Sequence, residues 1–428
     1  MHEIGSEVLV IGAGPAGLAA AAAAADDGAD VLVVDENPRP GGQIWRAERN
    51  LGVRSEAGEL VTLALSHGAR FLSDTTVFDA AGGRTLFAVN GHGPVVLRTQ
   101  RVVLALGATE RQLPFPGWTL PGVFGVGGLQ ALGKNGLDVS NRRIAVAGSG
   151  PLLLAVAAWL QRRGAKVLGV FEQAPKEDVV RFGRGLWRHP AKLIQAARLS
   201  GSLFRVPRYH DAWPVRAEGR EQVEHLVLSV AGRELALEVD YVACAFGFAP
   251  VTGLAALLGC ALADARVRVD GFQRTNVEGV LCAGESTGIA GADCARAEGV
   301  VAGHMAAGRE DLARTACRWR DRERRFGAAL ERTFALRDEL RALPTTDTIV
   351  CRCEDVVWSA LLSREDERDA KLQTRAGMGP CQGRVCGAAL EFLKGWPRSR
   401  VRPPLIPVTM DVLAEVGAAR HRQEEPAS

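Results

Sequence analysis

Residues 7–17 read EVLVIGAGPAG, and the fold follows from how that stretch divides. Glu7 to Ile11 is a short apolar run, of the kind that forms a strand buried in a parallel sheet. It ends at Gly12. From Pro15 to about Asp26 the chain is almost all alanine, which reads as helix, and Val31 to Val34 (VLVV) is a second strand ending at Asp35. Together these make a βαβ opening. By length alone Val8 to Ala25 could pass for a membrane span. Gly12, Gly14, Pro15 and Gly17 interrupt it and no basic segment precedes it, so strand, turn and helix is the better reading. Neither a transmembrane nor a targeting segment is expected.

Gly12-Ala13-Gly14-Pro15-Ala16-Gly17 fits G-x-G-x-x-G between strand and helix. The first glycine makes the tight turn, the second lets a pyrophosphate approach the backbone, and the third lets helix and strand pack closely. The phosphates then meet the free N–H groups and positive end of the helix. Asp35 lies 18 residues past Gly17, placed to accept ribose hydroxyls, with Glu36 beside it. Gly41-Gly42-Gln43 adds backbone N–H groups close to the acid, and Trp45 after it either covers a ring or belongs to the core. Leu104 to Ala108 is a strand entering a small-residue turn that includes Ala105 and Gly107. A late glycine signal, GVLCAGESTGIAG (279–291), follows a strand-like Val280 to Ala283 and carries Gly284, Glu285, Gly288 and Gly291.

A second unit of the same kind begins at Arg143 to Ala147 (RIAVA). Gly148-Ser149-Gly150, an apolar helix to about Arg163, then Val167 to Phe171 and Glu172 complete it. Here the third small residue is replaced by Leu153, which should hold helix and strand apart and crowd a dinucleotide. No Arg pair follows Glu172, which speaks against NADP. Either NAD(H) binds in spite of Leu153, or the pocket is vacant or repurposed for an adenine nucleotide.

At 428 residues, 47% hydrophobic and 24% charged, the chain is long enough for several domains and is not disordered. The net charge of +3, from 52 basic and 49 acidic residues, excludes a case for nucleic-acid binding on charge. From Asp311 to Leu343 arginines and acids alternate with Leu, Phe and Ala, which reads as solvated helix. Arg181 to Arg220 holds nine Lys/Arg against Asp211 and Glu218, with Trp187 and Trp213. That stretch is either a solvated insertion or a docking surface for an acidic partner or an anion. His189 and His210 within it read as satisfied surface or core histidines. The last residues, Glu424 to Ser428, read as frayed.

The nine cysteines are an odd number. Cys244, Cys260, Cys282, Cys294 and Cys317 are scattered and read as small buried residues, with a redox role the alternative for Cys294 in the late glycine segment. Cys351, Cys353, Cys381 and Cys386 cluster, which points to a reducing compartment and a metal site. A cytoplasmic protein is expected. Cys351-Arg352-Cys353 is separated by 27 residues from Cys381-x4-Cys386. Four thiolates can hold [2Fe–2S] or Zn²⁺. Zinc knuckles usually use C-x2-C pairs, so [2Fe–2S] is favoured, with zinc and free thiols as alternatives. Glycines 377, 379, 383 and 387 let backbone N–H groups reach the sulfurs, Arg352, Arg375 and Arg384 add positive charge, and Gly387 to Leu393 can begin a helix facing the site. Residues 1–243 contain no cysteine, so dithiol chemistry beside the first glycine turn is not expected.

The order of the glycine signals resembles the two-dinucleotide-binding-domain flavoproteins, the glutathione-reductase-like group. There FAD binds an N-terminal third and a late returning segment around an inserted nucleotide fold. Their late motif usually carries Asp; Glu285 is the matching residue, implying a hydrogen bond to the flavin ribityl or phosphate. The runs CRCEDV (351–356) and TRAGMGPCQGRVCG (374–387) resemble the domain related to bacterioferritin-associated ferredoxin, as found in the A subunits of heteromeric amine dehydrogenases. Opine oxidases, proline and hydroxyproline dehydrogenase complexes and the flavin subunit of hydrogen cyanide synthase form that family. DENPRPGGQIWR (35–46), GATERQLPFPGW (107–118) and CAGESTGIAGADCARAEG (282–299) extend the resemblance over nearly the whole chain. The interval between the Cys pairs is a few residues shorter than in the family, near Ser363 to Asp369, so departures are expected in the intervening helices.

The resemblance implies an α/β fold with two Rossmann-like domains and a small C-terminal [2Fe–2S] domain. Its expected divisions are 1–118 with 265–312 for FAD, 119–264 inserted, 313–345 a helical linker, 346–395 the iron–sulfur domain and 396–428 a tail. FAD contacts carried over are Gly12, Gly14, Pro15, Ala16, Gly17, Asp35, Glu36, Gly41, Gly42, Gln43, Val77, Ala105, Gly107, Gly284, Glu285, Gly291 and Ala292; the cluster ligands are Cys351, Cys353, Cys381 and Cys386. No acid–base pair is singled out beside the flavin. The implied role is electron transfer from a partner that resembles D-amino-acid oxidase and oxidises an amino-acid-derived amine, onward to a quinone-like acceptor. A small third polypeptide, a second flavin at an interface between subunits and a peripheral contact with the inner membrane face are left open. The rival readings are a stand-alone NADH:acceptor oxidoreductase and a zinc-clipped scaffold subunit.

Overall fold

The computed structural model describes residues 2–45, 56–82, 84–397 and 401–424, so the expected fraying of 425–428 lies outside the described residues. The chain divides into two units, Met1–Ala108 with Pro250–Ala328 and Arg400–Ser428, and Thr109–Ala249 with Ala329–Ser399.

The first unit is built on strand β1 (His2–Ile11), helix α1 (Pro15–Asp26) and strand β2 (Val31–Val34). Strands β3 (Arg70–Leu72), β4 (Thr76–Ala80), β5 (Thr85–Asn90) and β6 (Gly93–Leu104) extend the sheet in the order β3-β2-β1-β6-β5-β4. β1 runs parallel to both β2 and β6, while β4 and β5 form an antiparallel flap. β6 is long enough to take β5 on its first half and the late strand Val280–Cys282 on its last three residues. That parallel pairing, with Val280 beside Val102, returns the late segment to the carboxyl ends of β1 and β6, where ligands of such sheets bind.

Helix α1 packs on helix Ala292–Ala306 through small residues. A Cβ on Gly299 would lie 2.1 Å from the Ala16 carbonyl oxygen, and one on Gly303 would lie 2.3 Å from that of Ala20. The alanine run is therefore a contact surface: Ala16 to Ala25 is buried throughout. The tail closes the other side of the sheet. Val412 and Val416 of helix Met410–Glu424 cover Phe78, Phe87 and Val96, and Arg420 pairs with buried Asp79.

The second unit repeats the motif in a parallel sheet ordered Arg208–Tyr209, Lys166–Glu172, Arg143–Ser149, Tyr241–Phe246, Val123–Phe124. An antiparallel meander of Ala212–Glu218, His225–Val230 and Arg233–Glu238 flanks it. The cysteine-bearing segment packs onto this fold. Leu340, Leu343, Ala389 and Leu393 share a core with Phe115, Trp118 and Phe246, and the Trp118 indole N–H donates to the Ile349 carbonyl at 2.6 Å. Between the Cys pairs lie helices Trp358–Leu362 and Glu367–Thr374; Asp366 caps the second by accepting the Asp369 N–H.

Helix Glu310–Thr333 departs from the solvated reading of its sequence. Ala313, Arg320, Glu323 and Gly327 are buried. Two of those four are charged, so counting charges concealed a face held by ion pairs.

Candidate functional site

The turn after β1 is shaped by close approach. Gly12 has φ +102°, and a Cβ there would lie 2.3 Å from the Ala105 carbonyl oxygen; one on Gly17 would lie 1.7 Å from that of Gly12. Gly41 donates to the Ala13 carbonyl at 2.8 Å, and Gly42 comes so near Gly14 that its Cβ would sit 2.8 Å from the Gly14 Cα. Gly284 meets Ala16 with a corresponding separation of 2.8 Å. Gly12, Gly14, Ala16, Gly17, Gly41, Gly42, Ala105 and Gly284 therefore converge around the start of α1, with Pro15 as its first residue. The Ser286 hydroxyl donates to the Gly107 carbonyl at 3.3 Å, bringing the turn after β6 against the late motif. Gly291 caps the helix that begins at Ala292, a second helix N-terminus in this unit.

The acid positions differ from one another. Asp35 is buried; one carboxylate oxygen accepts the Ala13 N–H, and the other accepts the Asn37 N–H at 2.7 Å and its side-chain amide at 2.8 Å. It braces the glycine turn, and its remaining lone pairs are what a ribose would use. Glu36 and Gln43 are exposed. The Val77 side chain is buried in the core with Ile11 and Val34, so only its backbone faces outward chemistry. Trp45 is buried against Gly41 and belongs to the core. Glu285 is half-buried, its carboxylate makes no hydrogen bond among the described residues, and burial raises its pKa above the ordinary carboxylate range. An acid aimed at no protein donor, beside glycines 107 and 291 with open space at their Cβ positions, fits a hydroxyl-rich ligand such as FAD.

Sequence reading missed the group that holds this motif. Glu298, 4% exposed, accepts the Gly284 N–H at 2.9 Å and the Thr287 hydroxyl at 2.8 Å through one oxygen. Its other oxygen accepts Arg324 Nε at 2.7 Å, and Arg324 also donates to Gln273 at 2.6 Å, whose amide donates to the Cys282 carbonyl at 2.8 Å. An acid within the small-residue run ADCARAEG was the available signal. Cys294 lies against Glu298, and burial first, then that carboxylate, push its thiol up to about 12. It is inert, as a small buried residue should be.

The second glycine turn is built differently. Gly14 has φ −79° and α1 starts at the next residue, whereas Gly150 has φ +102° and its helix starts two residues on, at Leu152. The later start accommodates Leu153, whose side chain is buried in the core with Ile144, Val146 and Val156. Leu153 therefore does not crowd the mouth of the turn, contrary to expectation. The chain's own segment engages the turn instead. The Ser149 hydroxyl donates to the Phe334 carbonyl at 3.0 Å, and the Gln173 amide donates to Ser149 and to the Ala335 carbonyl. Glu172 accepts the Gly150 and Ala174 N–H groups at 2.7 and 2.9 Å, and burial pushes its carboxyl up to about 7. His210 departs from the satisfied reading: its Nδ1 is buried without a hydrogen-bond partner.

The four C-terminal cysteines meet across the two motifs, Cys351 with Cys386 and Cys353 with Cys381. The Gly377 N–H donates to Cys351 Sγ at 3.4 Å, and Gly379 packs so closely on Cys353 that a Cβ would lie 2.3 Å from its Cβ. The hydrogen bond from Cys386 pulls the Cys351 thiol down to about 6 and pushes that of Cys386 up. Cys386 opens helix Cys386–Lys394. Among the described residues no group of three or more His, Cys, Asp and Glu is arranged to hold a metal ion. The donor set is nonetheless all thiol, with backbone N–H at hand, and in kind it suits iron or zinc.

Residues 6–299 match the family described as pyridine nucleotide-disulphide oxidoreductase. The chain belongs to that family. Within it the chain falls with the A subunits of heteromeric flavin amine dehydrogenases. It is 31% identical over 453 residues to the A subunit of opine oxidase from Rhizobium meliloti (strain 1021), covering 96% of this chain and 98% of the relative. The HcnB subunit of hydrogen cyanide synthase from Pseudomonas aeruginosa is 28% identical, covering 96% of this chain and 98% of that one. Among solved structures, L-proline dehydrogenase from P. horikoshii has a TM-score of 0.70 at 20% identity, over 96% of this chain and 80% of that chain. Thioredoxin reductase of T. acidophilum has a TM-score of 0.56 at 20% identity, over 71% of this chain and 98% of that chain. These likenesses establish the two-domain flavoprotein fold and an FAD-dependent oxidoreductase family. No described helix is long and apolar enough to cross a membrane.

Proposed function

We propose that this chain is the electron-transfer subunit of a heteromeric dehydrogenase acting on an amino-acid-derived amine, of opine or imino-acid type. The observation that carries the reading is one chain with two redox-type sites. A flavin cradle is completed by Glu285, and a four-thiol motif is appended to the inserted fold. When bound, FAD accepts an electron pair and a [2Fe–2S] cluster passes electrons singly, which suits a quinone-like acceptor.

The residues would act as follows. Gly14 and Gly42 leave backbone N–H groups clear for the pyrophosphate, while the Gly41 N–H, bonded to the Ala13 carbonyl, fixes the loop beside them. Asp35 offers its free lone pairs to the adenosine ribose, and Glu285 accepts from a ribityl hydroxyl or, protonated, donates to a phosphate oxygen. Ala105 and Gly107 line the turn beside the ring, and the helix starting at Ala292 directs its positive end there. Cys351, Cys353, Cys381 and Cys386 would ligate the cluster, with Gly377 donating to a ligand sulfur. Cys294, whose thiol is pushed up to about 12 by burial and by Glu298, stays neutral and takes no part in dithiol chemistry. Amine oxidation would then belong to a separate flavin-bearing polypeptide resembling D-amino-acid oxidase, a division of labour supported by the relatives being named as subunits.

Anaerobic purification of the chain alone tests this. The expected result is flavin absorbance with additional visible absorbance from iron and sulfide, and no amine oxidation until the partner is added. Robust amine oxidation by the isolated chain would refute it. The NADH-dependent reading is disfavoured by the contacts of Ser149 and Gln173 with residues 334 and 335, which engage the second turn from within the chain.

A further inference from the structure

The helix pair Lys176–Gly185 and Pro190–Ser202 in the second unit has a surface that the redox reading does not use. Neither helix contains a single buried residue. The pair is held by Leu186 between the helices and by Leu203 and Val206 after them. Outward, Trp187 is 69% and Phe204 74% exposed, the only exposed tryptophan and phenylalanine among the described residues. Val180, Leu193 and Ile194 are exposed with them. From Val180 to Arg208 the sequence holds seven Lys/Arg and no acidic residue. The basic groups are interleaved with the apolar ones: Arg188 lies 5.2 Å over the Trp187 ring and Arg205 lies 5.1 Å over that of Phe204.

We propose that this helix pair and the turn after it form a docking surface for an anionic lipid bilayer. A headgroup layer offers both requirements at once: phosphates for the guanidinium groups and an acyl boundary for Trp187, Phe204 and the aliphatic side chains. Apolar groups left in water at this density mark an interaction surface on a soluble chain. Arg181 is paired with Asp178 in the first turn of the leading helix at 2.7 Å, but from Phe182 to Arg208 the sequence has no acid to neutralise its six remaining Lys/Arg in the manner of an ordinary solvated helix. Since no described helix can span, the surface lies on the membrane plane. The proposal rests on this surface alone and is independent of which cofactors the chain carries.

The test is co-sedimentation of the full-length chain with phosphatidylcholine vesicles, with and without phosphatidylglycerol, at low and high salt. The expected result is partition onto the anionic vesicles only, weakened by salt. The triple variant Arg184→Gln/Arg188→Gln/Lys192→Gln should lose on the order of 100-fold in partition, each cation contributing about fivefold. Trp187→Ser/Phe204→Ser should lose at least about 10-fold. The control Leu63→Ser/Leu65→Ser, on the exposed face of helix Glu56–Ser66, should partition as the wild type does. Unaltered far-UV circular dichroism keeps the comparison among folded proteins. Equal binding to neutral vesicles, no binding by the folded wild type, or an equal loss in the control would overturn the proposal. So would masking of Trp187 from an aqueous quencher by the partner protein together with loss of vesicle binding, which would make the surface a protein interface.

Discussion

Replacing Glu298 tests whether the late flavin motif is positioned by a buried carboxylate. In the folded chain this side chain holds three donors: the Gly284 N–H, the Thr287 hydroxyl and Arg324 Nε. Bonds to a charged acceptor contribute about 1.5–3 kcal/mol each. The Arg324 side chain is 35% exposed, so its share is discounted for solvent screening. Glu298→Ala leaves the buried Gly284 N–H and Gln273's partner Arg324 without their acceptor, and the expected cost is about 3–5 kcal/mol. Glu298→Gln keeps one acceptor oxygen and should cost less. The double variant with Arg324→Ala should cost less than the sum of the singles, by about 1–3 kcal/mol. The assay is urea titration of the flavin-loaded chain, followed by flavin release, with the flavin-to-protein ratio of the purified variant. Because Gly284 sits against Ala16 of the phosphate-binding turn, flavin content should fall together with the midpoint. A Glu298→Ala protein with an unshifted midpoint and full flavin content would refute the reasoning.

The remaining expectations concern the second unit. The Glu172 carboxyl is raised to about 7, above its unfolded value, so its contribution is fully present below the unfolded pKa and is lost as pH rises through about 7. Urea stability should therefore decline between about pH 4.5 and pH 7 and level off above that, by at most about 1.4 kcal/mol per pH unit, and Glu172→Gln should flatten that slope; an unchanged slope counts against it. Cys351→Ser should lose iron and sulfide, measured chemically, while retaining flavin; unchanged iron would remove Cys351 from the ligand set. NADH mixed anaerobically with the chain should leave the flavin absorbance intact, and rapid bleaching would restore the nicotinamide reading.

Much of the first unit could be read along the chain because its determinants are local. Val8–Ile11, the glycine turn and the alanine helix each announce themselves by composition, and Val31–Val34 ends at the acid that braces the turn. Gly284 and Gly291 were recognisable for local reasons too: close approach to Ala16 leaves a glycine at 284, and a φ of +87° leaves one at 291. The Glu298–Arg324–Gln273 network was not legible. Its members lie 26 and 51 residues from Arg324, and nothing in an isolated acid or amide says which donor it will meet. Helix Glu310–Thr333 misled for a related reason. Arg320 and Glu323 look solvated by type, and only their partners make burial tolerable. The Leu153 substitution was visible, but its consequence was not, since starting the helix one residue later depends on the whole core beneath it.

The second nucleotide fold keeps its frame while turning its polar groups to another use. Its sheet retains the parallel order and its Gly148 the close approach to Ala245, with a Cβ there 1.8 Å from that carbonyl oxygen. What differs is where its polar groups are directed. Ser149 and Gln173 hold residues 334 and 335, Gln173 also accepts the Arg337 N–H at 3.3 Å, and Arg337 lies over Trp213 and pairs with Asp211. Immediately downstream, Leu340 and Leu343 enter the core that also receives Ala389 and Leu393 from the cysteine-bearing segment. Groups that would otherwise meet a dinucleotide thus fasten the strap leading into the thiol motif. On this reading the fold serves as the frame on which Cys351 and Cys386 are brought together. On that account, Gln173→Ala should loosen the strap and lower the iron retained by the thiols while leaving the flavin site, built in the other unit, fully loaded. Parallel measurement of iron and flavin per chain decides it: equal retention of both in the variant would show that the inserted fold is not the support of the thiol motif.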